Sequence, residues 1–308
     1  MRGGQGARGA RVRFHGVRGS TPCAGPRYDR FGGNTACVSL EAEGHAPVIF
    51  DMGTGLRPYG EQLVGFPTSG PEGPGDGPFG PFHGAVLLTH LHWDHIQGLP
   101  FFAPLGDSDA TLDVYGPRQE EGALADVFAG CMRPPYFPIR PEQLTGNVRF
   151  HDAGHDDFPV NGSKVRSRWV RHTSPTLGFR VELEGISVAY VSDHGPGCVG
   201  DDDTFVPDDV LDLCDGADLV IHDSQHTSEE YAHKRHYGHC TVEYAVQVAR
   251  EAGARRLALF HHCPTHSDDD IDLMLLHARD LAHRVAGGLE VMAAAEGLCV
   301  ELHNPLSA

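Results

Sequence analysis

Four side chains that can bind a transition metal stand within six positions, in the segment His90-Leu91-His92-Trp93-Asp94-His95. The apolar run before this segment predicts a buried strand, so these side chains are expected to project from the loop that ends it. His90 and His92, two positions apart, can face the same side of an extended segment. Asp94 and His95 can turn toward a second position at the start of a helix. The spacing therefore predicts a centre for two metal ions.

The elements that must position these side chains are short strands that alternate with helices. Apolar runs bounded by Gly, Pro or polar residues predict strands, at residues 12–16, 37–42, 48–51, 85–89, 111–115, 165–170, 187–191, 219–222 and 257–260. Helical spacing of apolar side chains predicts the clearest helices, at residues 119–129, 241–252 and 269–285. This alternation along the chain indicates a layered α/β domain.

Composition and charge narrow the class of protein. One domain is expected over residues 11–308, after a disordered tail at 1–10 that is not a secretory signal, with a flexible Gly- and Pro-rich loop at 65–82. The 8 cysteines form no Cys-x-x-Cys pair, which favours reduced thiols and a cytoplasmic location. No apolar run approaches the ~18 residues that cross a bilayer, so no membrane partner is expected. The net charge of -18 makes a long nucleic acid a poor partner, and a homodimer is left open.

The His-x-His-x-Asp-His pattern resembles the signature of the metallo-β-lactamase superfamily, and further ligands that this resemblance implies follow downstream. The segment 171–180, Arg-His-Thr-Ser-Pro-Thr-Leu-Gly-Phe-Arg, resembles a ribonuclease Z-type segment and implies that His172 is the third ligand of the first ion. Apolar runs that end in Asp193 and in His261 imply a bridging carboxylate and a histidine that completes the second site, with His262 as the alternative. The resemblance implies this ligand set: His90, His92, Asp94, His95, His172, Asp193 and His261.

The resemblance also implies a fold and a reaction: a four-layer αββα sandwich and a hydrolase of the ribonuclease Z-like, phosphodiesterase-type branch. Two divalent ions are the expected cofactors, with Zn²⁺ favoured and Mn²⁺ or iron as alternatives. Two ions about 3.5–4 Å apart lower the pKa of a shared water from ~15.7 toward ~7, so a metal-bridging hydroxide is the expected nucleophile. Against Asp94, Asp193 and one hydroxide, two Zn²⁺ would leave a formal charge of about +1, which favours an anionic substrate.

A second motif concerns the proton that the leaving group needs. Residues 237–241, Tyr-Gly-His-Cys-Thr, stand at the start of a predicted helix and resemble the Ala-His-x-Thr segment of ribonuclease Z. The resemblance implies that His239 contacts the phosphate and is oriented by Asp223, and such an acid contributes typically ~10²–10⁴-fold. The alternative is that His239 only caps its helix. The catalytic candidates are Asp94, His239 and Asp223, and the candidate substrate contacts are Ser20, His194 and His239.

The substrate is expected to be small, because the basic arm with which ribonuclease Z grips RNA has no counterpart in this acidic sequence. Residues 132–138, Met-Arg-Pro-Pro-Tyr-Phe-Pro, are expected to wall a pocket over the metals, and Trp93 to pack beneath the metal loop. These points favour a phosphodiesterase that acts on a small phosphodiester such as a cyclic nucleotide. Two alternatives use the same ligands, namely hydrolysis of an acyl ester, lactone or thioester, and an iron-containing oxidoreductase.

Overall fold

The computed structural model of this chain describes residues 9–65, 80–197, 204–284 and 288–304. Its strands form two seven-stranded sheets. The strands of the first sheet are β1 (Gly9–Gly16), β2 (Cys37–Ala42), β3 (Val48–Phe50), β4 (His83–Leu87), β5 (Thr111–Pro117), β6 (Asn147–Ala153) and β14 (Cys299–His303). The strands of the second sheet are β7 (Asp157–Val160), β8 (Ser163–Val170), β9 (Thr176–Leu183), β10 (Ile186–Val191), β11 (Leu219–Asp223), β12 (Arg256–Phe260) and β13 (Glu290–Ala293).

Each sheet contains a run of parallel strands whose carboxyl ends lie at the same edge. The first sheet has the order β14-β1-β2-β3-β4-β5-β6, and its pairs from β3 to β6 are parallel. The second has the order β13-β12-β11-β10-β9-β8-β7, and its pairs from β10 to β13 are parallel. Side chains that follow these strands are therefore brought together where α/β proteins commonly bind ligands.

Helices cover the outer face of each sheet. They are α1 (Leu56–Val64), α2 (Trp93–Ile96), α3 (Leu124–Cys131), α4 (Asp208–Cys214), α5 (Ser228–Lys234), α6 (Val242–Glu251) and α7 (Asp268–His283). Buried side chains of α1 and α3 pack with the first sheet, and those of α4, α6 and α7 with the second. The apolar layer between the sheets includes the stacked rings of Phe50 and Tyr190, whose centroids are 4.9 Å apart. This order of layers confirms the predicted αββα sandwich.

Most of the strands that the sequence does not predict lie at the sheet edges. All the predicted strands occur, with shifted ends, but the edge strands β6, β7, β13 and β14 and the interior strand β9 are absent from the prediction. The residues of the edge strands are largely exposed or half-buried. Edge strands commonly carry charged residues or proline, which discourage pairing with another chain. The apolar signal of these strands is correspondingly weak.

The predicted tail and loop fall mostly outside the described residues, which exclude 1–8 and 66–79. Residues 9 and 10 were expected to belong to the tail. That expectation is wrong, because they are part of β1 and pair with β14. Among the helices of the described ranges, none is long and apolar enough to cross a membrane.

The helix predicted at 119–129 starts later than expected. Gln119 and Gly122 bond to each other through their backbones in a turn, and α3 begins only at Leu124. Glycine with a positive φ, here 155° at Gly122, is typical of such a turn and does not continue a helix. The helix predicted at 241–252 agrees closely with α6.

Candidate metal centre and active site

The loop between β4 and α2 carries the signature segment. The chain is still extended at His92 and then enters α2. Asp94 and His95 therefore lie in a helical turn, as the spacing predicted, and both are buried. The remaining predicted ligands follow other strands, with His172 after β8, Asp193 after β10 and His261 after β12.

The first donor group consists of His90, His92, His172 and Asp193, whose donor atoms all lie within 4.8 Å of one another. Nε2 of His172 lies 3.2 Å from Nδ1 of His92. Oδ2 of Asp193 lies 3.6 Å from Nε2 of His172 and 3.7 Å from Nε2 of His90. Nε2 of His90 is buried and forms no hydrogen bond with any residue that the structure describes. A bound cation would supply the partner that such a buried nitrogen requires.

The second donor group consists of Asp94, His95 and His261, and the same Asp193 adjoins it. Oδ2 of Asp94 lies 3.1 Å from Nε2 of His261 and 3.2 Å from Nε2 of His95. Oδ1 of Asp193 lies 3.2 Å from Nε2 of His95 and 3.3 Å from Nε2 of His261. Asp193 therefore presents one oxygen to each donor group, as a carboxylate that bridges two ions would.

The pKa shifts of the first donor group and of Asp193 suit metal binding. Burial lowers the pKa of His90 well below its usual value, and burial also lowers the pKa of His172 to about 4. Burial alone would raise the pKa of Asp193, but the nearby histidines, above all His261 and His95, outweigh it and hold that pKa well below its usual range. Neutral imidazoles and ionised carboxylates are the forms that divalent transition metals bind. At His95, burial alone would lower the pKa, but the carboxylates of Asp94, Asp193 and Asp51 outweigh it and raise that pKa well above its usual value, so a metal ion would displace a proton there. The donor set therefore fits divalent metal ions.

The buried carboxylate of Asp51 contacts Nδ1 of His95, the ring nitrogen that does not face Asp94. Oδ2 of Asp51, which is fully buried, lies 2.8 Å from Nδ1 of His95 and accepts a hydrogen bond from the Tyr190 hydroxyl at 2.9 Å. Oδ1 accepts a hydrogen bond from the backbone N–H of Thr89 at 2.7 Å. Bonds of this kind fix the ring orientation and tautomer of a ligating histidine. Asp51 is not among the site residues expected from the sequence, although its place directly after an apolar strand was a signal.

Replacing Asp51 with asparagine is expected to weaken metal binding by about 10- to 100-fold, because a neutral amide cannot accept hydrogen bonds at both of its terminal atoms. Asparagine tolerates the left-handed backbone, φ 58°, that Asp51 adopts. The loss would therefore report on the carboxylate, and competition with a chromophoric chelator measures it. Asp113→Asn is the control, because Asp113 also contacts a histidine, His151, but lies outside both donor groups. An unchanged affinity in the Asp51 variant would contradict the expected role.

Three residues of the site have a backbone conformation that residues other than glycine rarely adopt. Ser20, Asp51 and His261 have φ angles of 63°, 58° and 60°. Such conformations cost about 1–3 kcal/mol each and persist where the surrounding contacts fix them. The backbone N–H of Ser20 donates to Oδ2 of Asp94 at 2.7 Å. A Cβ at the neighbouring Gly19 would lie 2.5 Å from Nδ1 of His261, so this position requires glycine.

His239 lies beside the donor groups and contacts its predicted partner. Its Nδ1 is 2.8 Å from Oδ2 of Asp223 and 3.8 Å from Oδ2 of Asp193. Burial alone would lower the pKa of His239, but the carboxylate of Asp223 outweighs burial and raises that pKa above its usual value. Helix α6 is capped by Thr241, whose hydroxyl accepts from the N–H of Tyr244. The alternative in which His239 caps the helix is therefore wrong.

The donor groups open into a cavity of about 620 Å³. Its lining consists of Ser20, Leu91, His92, Trp93, Asp94, His172, Asp193, Gln225, Tyr237 and His239. Ser20 and His239 thus adjoin the space in which a substrate would lie, and their contact with substrate stays a prediction. The segment 132–138 does not wall this cavity, because its aromatic residues Tyr136 and Phe137 line a neighbouring groove.

His194 and Trp93, each next to a ligand in the chain, do not lie where the sequence predicts. His194, expected to contact substrate, is fully buried, with Nε2 3.1 Å from the Tyr244 hydroxyl, because successive residues of an extended segment face opposite sides. Trp93, expected to pack beneath the loop, is instead 72% exposed and lines the cavity. His262, the alternative ligand, donates from Nε2 to the carbonyl oxygen of Ala294. The expectations for His194 and Trp93 are thus corrected.

Known proteins resemble this chain over most of its length. A profile of the beta-lactamase superfamily domain matches residues 77–262. The ribonuclease Z of Natronomonas pharaonis is 27% identical over 295 residues, which cover 84% of this chain and 89% of that protein. The ribonuclease Z of Haloferax volcanii is 28% identical over 263 residues, covering 74% and 78%. Among solved structures, the metallo-beta-lactamase fold protein YhfI from Bacillus subtilis has a TM-score of 0.65 at 18% identity, covering 96% of this chain and 99% of that one.

The profile includes the donor groups from His90 to His261, and the match to the ribonuclease Z of Natronomonas pharaonis covers a larger share of the chain. The donor groups and these relatives together confirm the predicted enzyme class, a metal-dependent hydrolase that binds divalent metal. The chain belongs to the beta-lactamase superfamily, in its ribonuclease Z-like branch.

Proposed function

We propose that the chain is a phosphodiesterase that binds two divalent metal ions, preferably Zn²⁺, and hydrolyses a small phosphodiester such as a cyclic nucleotide. The observation that carries the proposal is the pair of His239 and Asp223, 2.8 Å apart at the metal cavity. Hydrolysis of a phosphodiester requires stabilised charge on the phosphate and a proton for the leaving oxygen. In this site, the donor groups can hold the ions that stabilise the charge on the phosphate. The positioned His239 can supply the proton for the leaving oxygen. The ribonuclease Z relatives support the phosphoric diester class.

The described residues would have separate roles in such a site. The first donor group would hold one ion and the second donor group the other, with Asp193 shared between them. When bound, such ions supply a nucleophile at neutral pH and stabilise negative charge on the phosphate. Asp223 accepts a hydrogen bond from Nδ1 of His239, which fixes the ring and leaves Nε2 for the substrate. His239 would hold a proton at Nε2 and donate it to the leaving oxygen.

The cavity and its charge favour a small substrate. Its volume of about 620 Å³ falls in the range of small-molecule pockets, roughly 300–1,000 Å³. None of the side chains that line this cavity in the described part of the chain belongs to Lys or Arg, and the net charge is -18. An extended RNA backbone would therefore find few cations to neutralise its phosphates.

The proposed enzyme acts in the cytoplasm, as a single domain that includes residues 9 and 10 of β1 in addition to 11–308. The location is supported by the cysteines of the described ranges, which are all free thiols. The single domain is supported by the apolar layer that both sheets share.

Turnover by metal-loaded protein tests the proposed function. We expect hydrolysis of bis(p-nitrophenyl) phosphate and of cyclic nucleotides, but not of p-nitrophenyl acetate, a lactone or a thioester. Chelation should abolish the activity and added Zn²⁺ should restore it, whereas His92→Ala should stay inactive because a donor of the first group is lost. A fully metallated protein that hydrolyses only the acyl compounds, or nothing, would show the proposal to be wrong. Faster cleavage of a precursor transfer RNA than of any small phosphodiester would overturn the small-substrate proposal.

A further inference from the structure

A groove of about 500 Å³ lies beside the metal cavity, and Trp93 lines both. Trp93, Phe101 and Tyr136, which line the groove, are 72%, 57% and 73% exposed. Several large apolar side chains exposed around one groove commonly mark a ligand or partner site. Trp93 stands between His92 and Asp94, one from each donor group. A molecule bound at the donor groups can therefore extend past Trp93 into the groove.

One polar side chain of the groove favours a flat heterocycle over a hydrocarbon chain as its occupant. Gln97 lies one helical turn after Trp93, to whose carbonyl oxygen its backbone N–H donates at 3.0 Å, so the two side chains are neighbours. Gln97 lines the groove and is half-buried, and its side-chain amide forms no hydrogen bond with any described residue. An amide presents a donor and an acceptor side by side, which matches the edge of a base such as adenine. A hydrocarbon would leave this amide unpaired.

We propose that the groove binds the nucleobase, or a similar flat heteroaromatic ring, of the phosphodiester whose phosphate lies at the donor groups. This proposal rests on the proposed function and narrows its substrate to the nucleotide class. The exposed aromatic walls offer stacking surfaces that accept any base. The amide of Gln97 adds a preference for bases with a donor and an acceptor on one edge.

Two cyclic phosphodiesters test the proposal, 2′,3′-cyclic AMP and glycerol 1,2-cyclic phosphate, which share the reacting five-membered ring, whereas the glycerol compound lacks the base and the rest of the ribose. Replacing Tyr136 with alanine is expected to lower kcat/KM for 2′,3′-cyclic AMP by about tenfold, the loss of one stacking contact, and to leave the glycerol compound unchanged. Phosphorus NMR follows both reactions. Trp169→Ala is the matched control, because Trp169 is an exposed aromatic of β8 outside the groove. Equal losses for both compounds would overturn the proposal.

Binding without turnover gives a measurement that does not depend on the proposed function. Trp93 and Trp169 are the 2 tryptophans of the chain, so the fluorescence of a Trp169→Phe variant reports on Trp93 alone. Adenosine is expected to change this fluorescence saturably, ribose 5-phosphate is not, and Tyr136→Ala should weaken adenosine binding by about tenfold. If the wild type hydrolyses neither cyclic compound, the proposed function fails and this measurement alone decides about the groove. No saturable effect of adenosine, or an equal effect of ribose 5-phosphate, would overturn the inference.

Discussion

Replacing Asp193 with asparagine is expected to remove metal from both donor groups at once and to lower kcat/KM by at least about a thousandfold, or roughly 4 kcal/mol of transition-state stabilisation. Among the residues that the structure describes, Asp193 is the one whose two carboxylate oxygens face different donor groups, with Oδ2 3.7 Å from Nε2 of His90 and Oδ1 3.3 Å from Nε2 of His261. An asparagine amide keeps the shape but lacks the charge and one acceptor atom. The loss should therefore be far larger than at a ligand that serves one ion.

Elemental analysis of dialysed protein, together with kinetics at saturating Zn²⁺, measures this effect. The isosteric change Asp109→Asn, at an exposed carboxylate outside both donor groups, serves as the control and should leave metal content and rate unchanged. An Asp193→Asn protein with the metal content of the wild type and a comparable rate would exclude the bridging role.

Replacing His239 with alanine is expected to lower kcat by about 10²–10⁴-fold without changing the metal content, because a positioned acid is lost and no ligand is. The loss should be greatest for substrates with an alkoxide leaving group and smallest for those that release p-nitrophenolate, which needs no proton to leave. Asp223→Asn should reproduce the same leaving-group dependence with a smaller loss, since Asp223 contacts His239 and is a member of neither donor group.

The rival role for His239 is that of a metal ligand, since its ring also lies within 4.8 Å of donor atoms of Asp193 and His261. Metal content separates the two roles, because a ligand variant would lose metal in proportion to its rate. The matched control is His277→Ala. His277 is exposed and contacts Glu243 at 2.9 Å, and it belongs neither to a donor group nor to the cavity lining. Parallel losses of metal and rate in His239→Ala would rule out the acid role.

The predicted ligands could be found from the sequence because each follows a recognisable strand. Asp193 and His261 are distant in the chain, yet β10 and β12 are parallel strands of one sheet and their carboxyl ends lie at the same edge. An apolar run that ends in a ligand-type residue therefore indicates where that residue lies in the fold, namely at the edge formed by the carboxyl ends of the parallel strands. The pairing of His239 with Asp223 was instead implied by the resemblance to ribonuclease Z, because Asp223 ends β11 but His239 directly follows no strand.

The surroundings of these ligands could not be predicted in this way. The donors to Asp51 come from the loop after β4, from α2 and from the interior of β10, and no spacing along the chain relates them. The groove likewise combines Gln97 with Tyr136, which follows α3. His194 was misjudged because successive residues of an extended segment face opposite sides. Trp93 was misjudged because it begins the short helix α2, whose buried side chains are those of Asp94, His95 and Ile96.

The two donor groups draw on both sheets, with His90 from the first sheet's loop and His172 and Asp193 from the second. An ion held between them would cross-link the two halves of the sandwich. Because the unfolded chain lacks this arrangement, each tenfold rise in free metal above its dissociation constant would add about 1.4 kcal/mol to the unfolding free energy. The lifetime of the folded enzyme, and not only its rate, would then follow the metal supply of the cell.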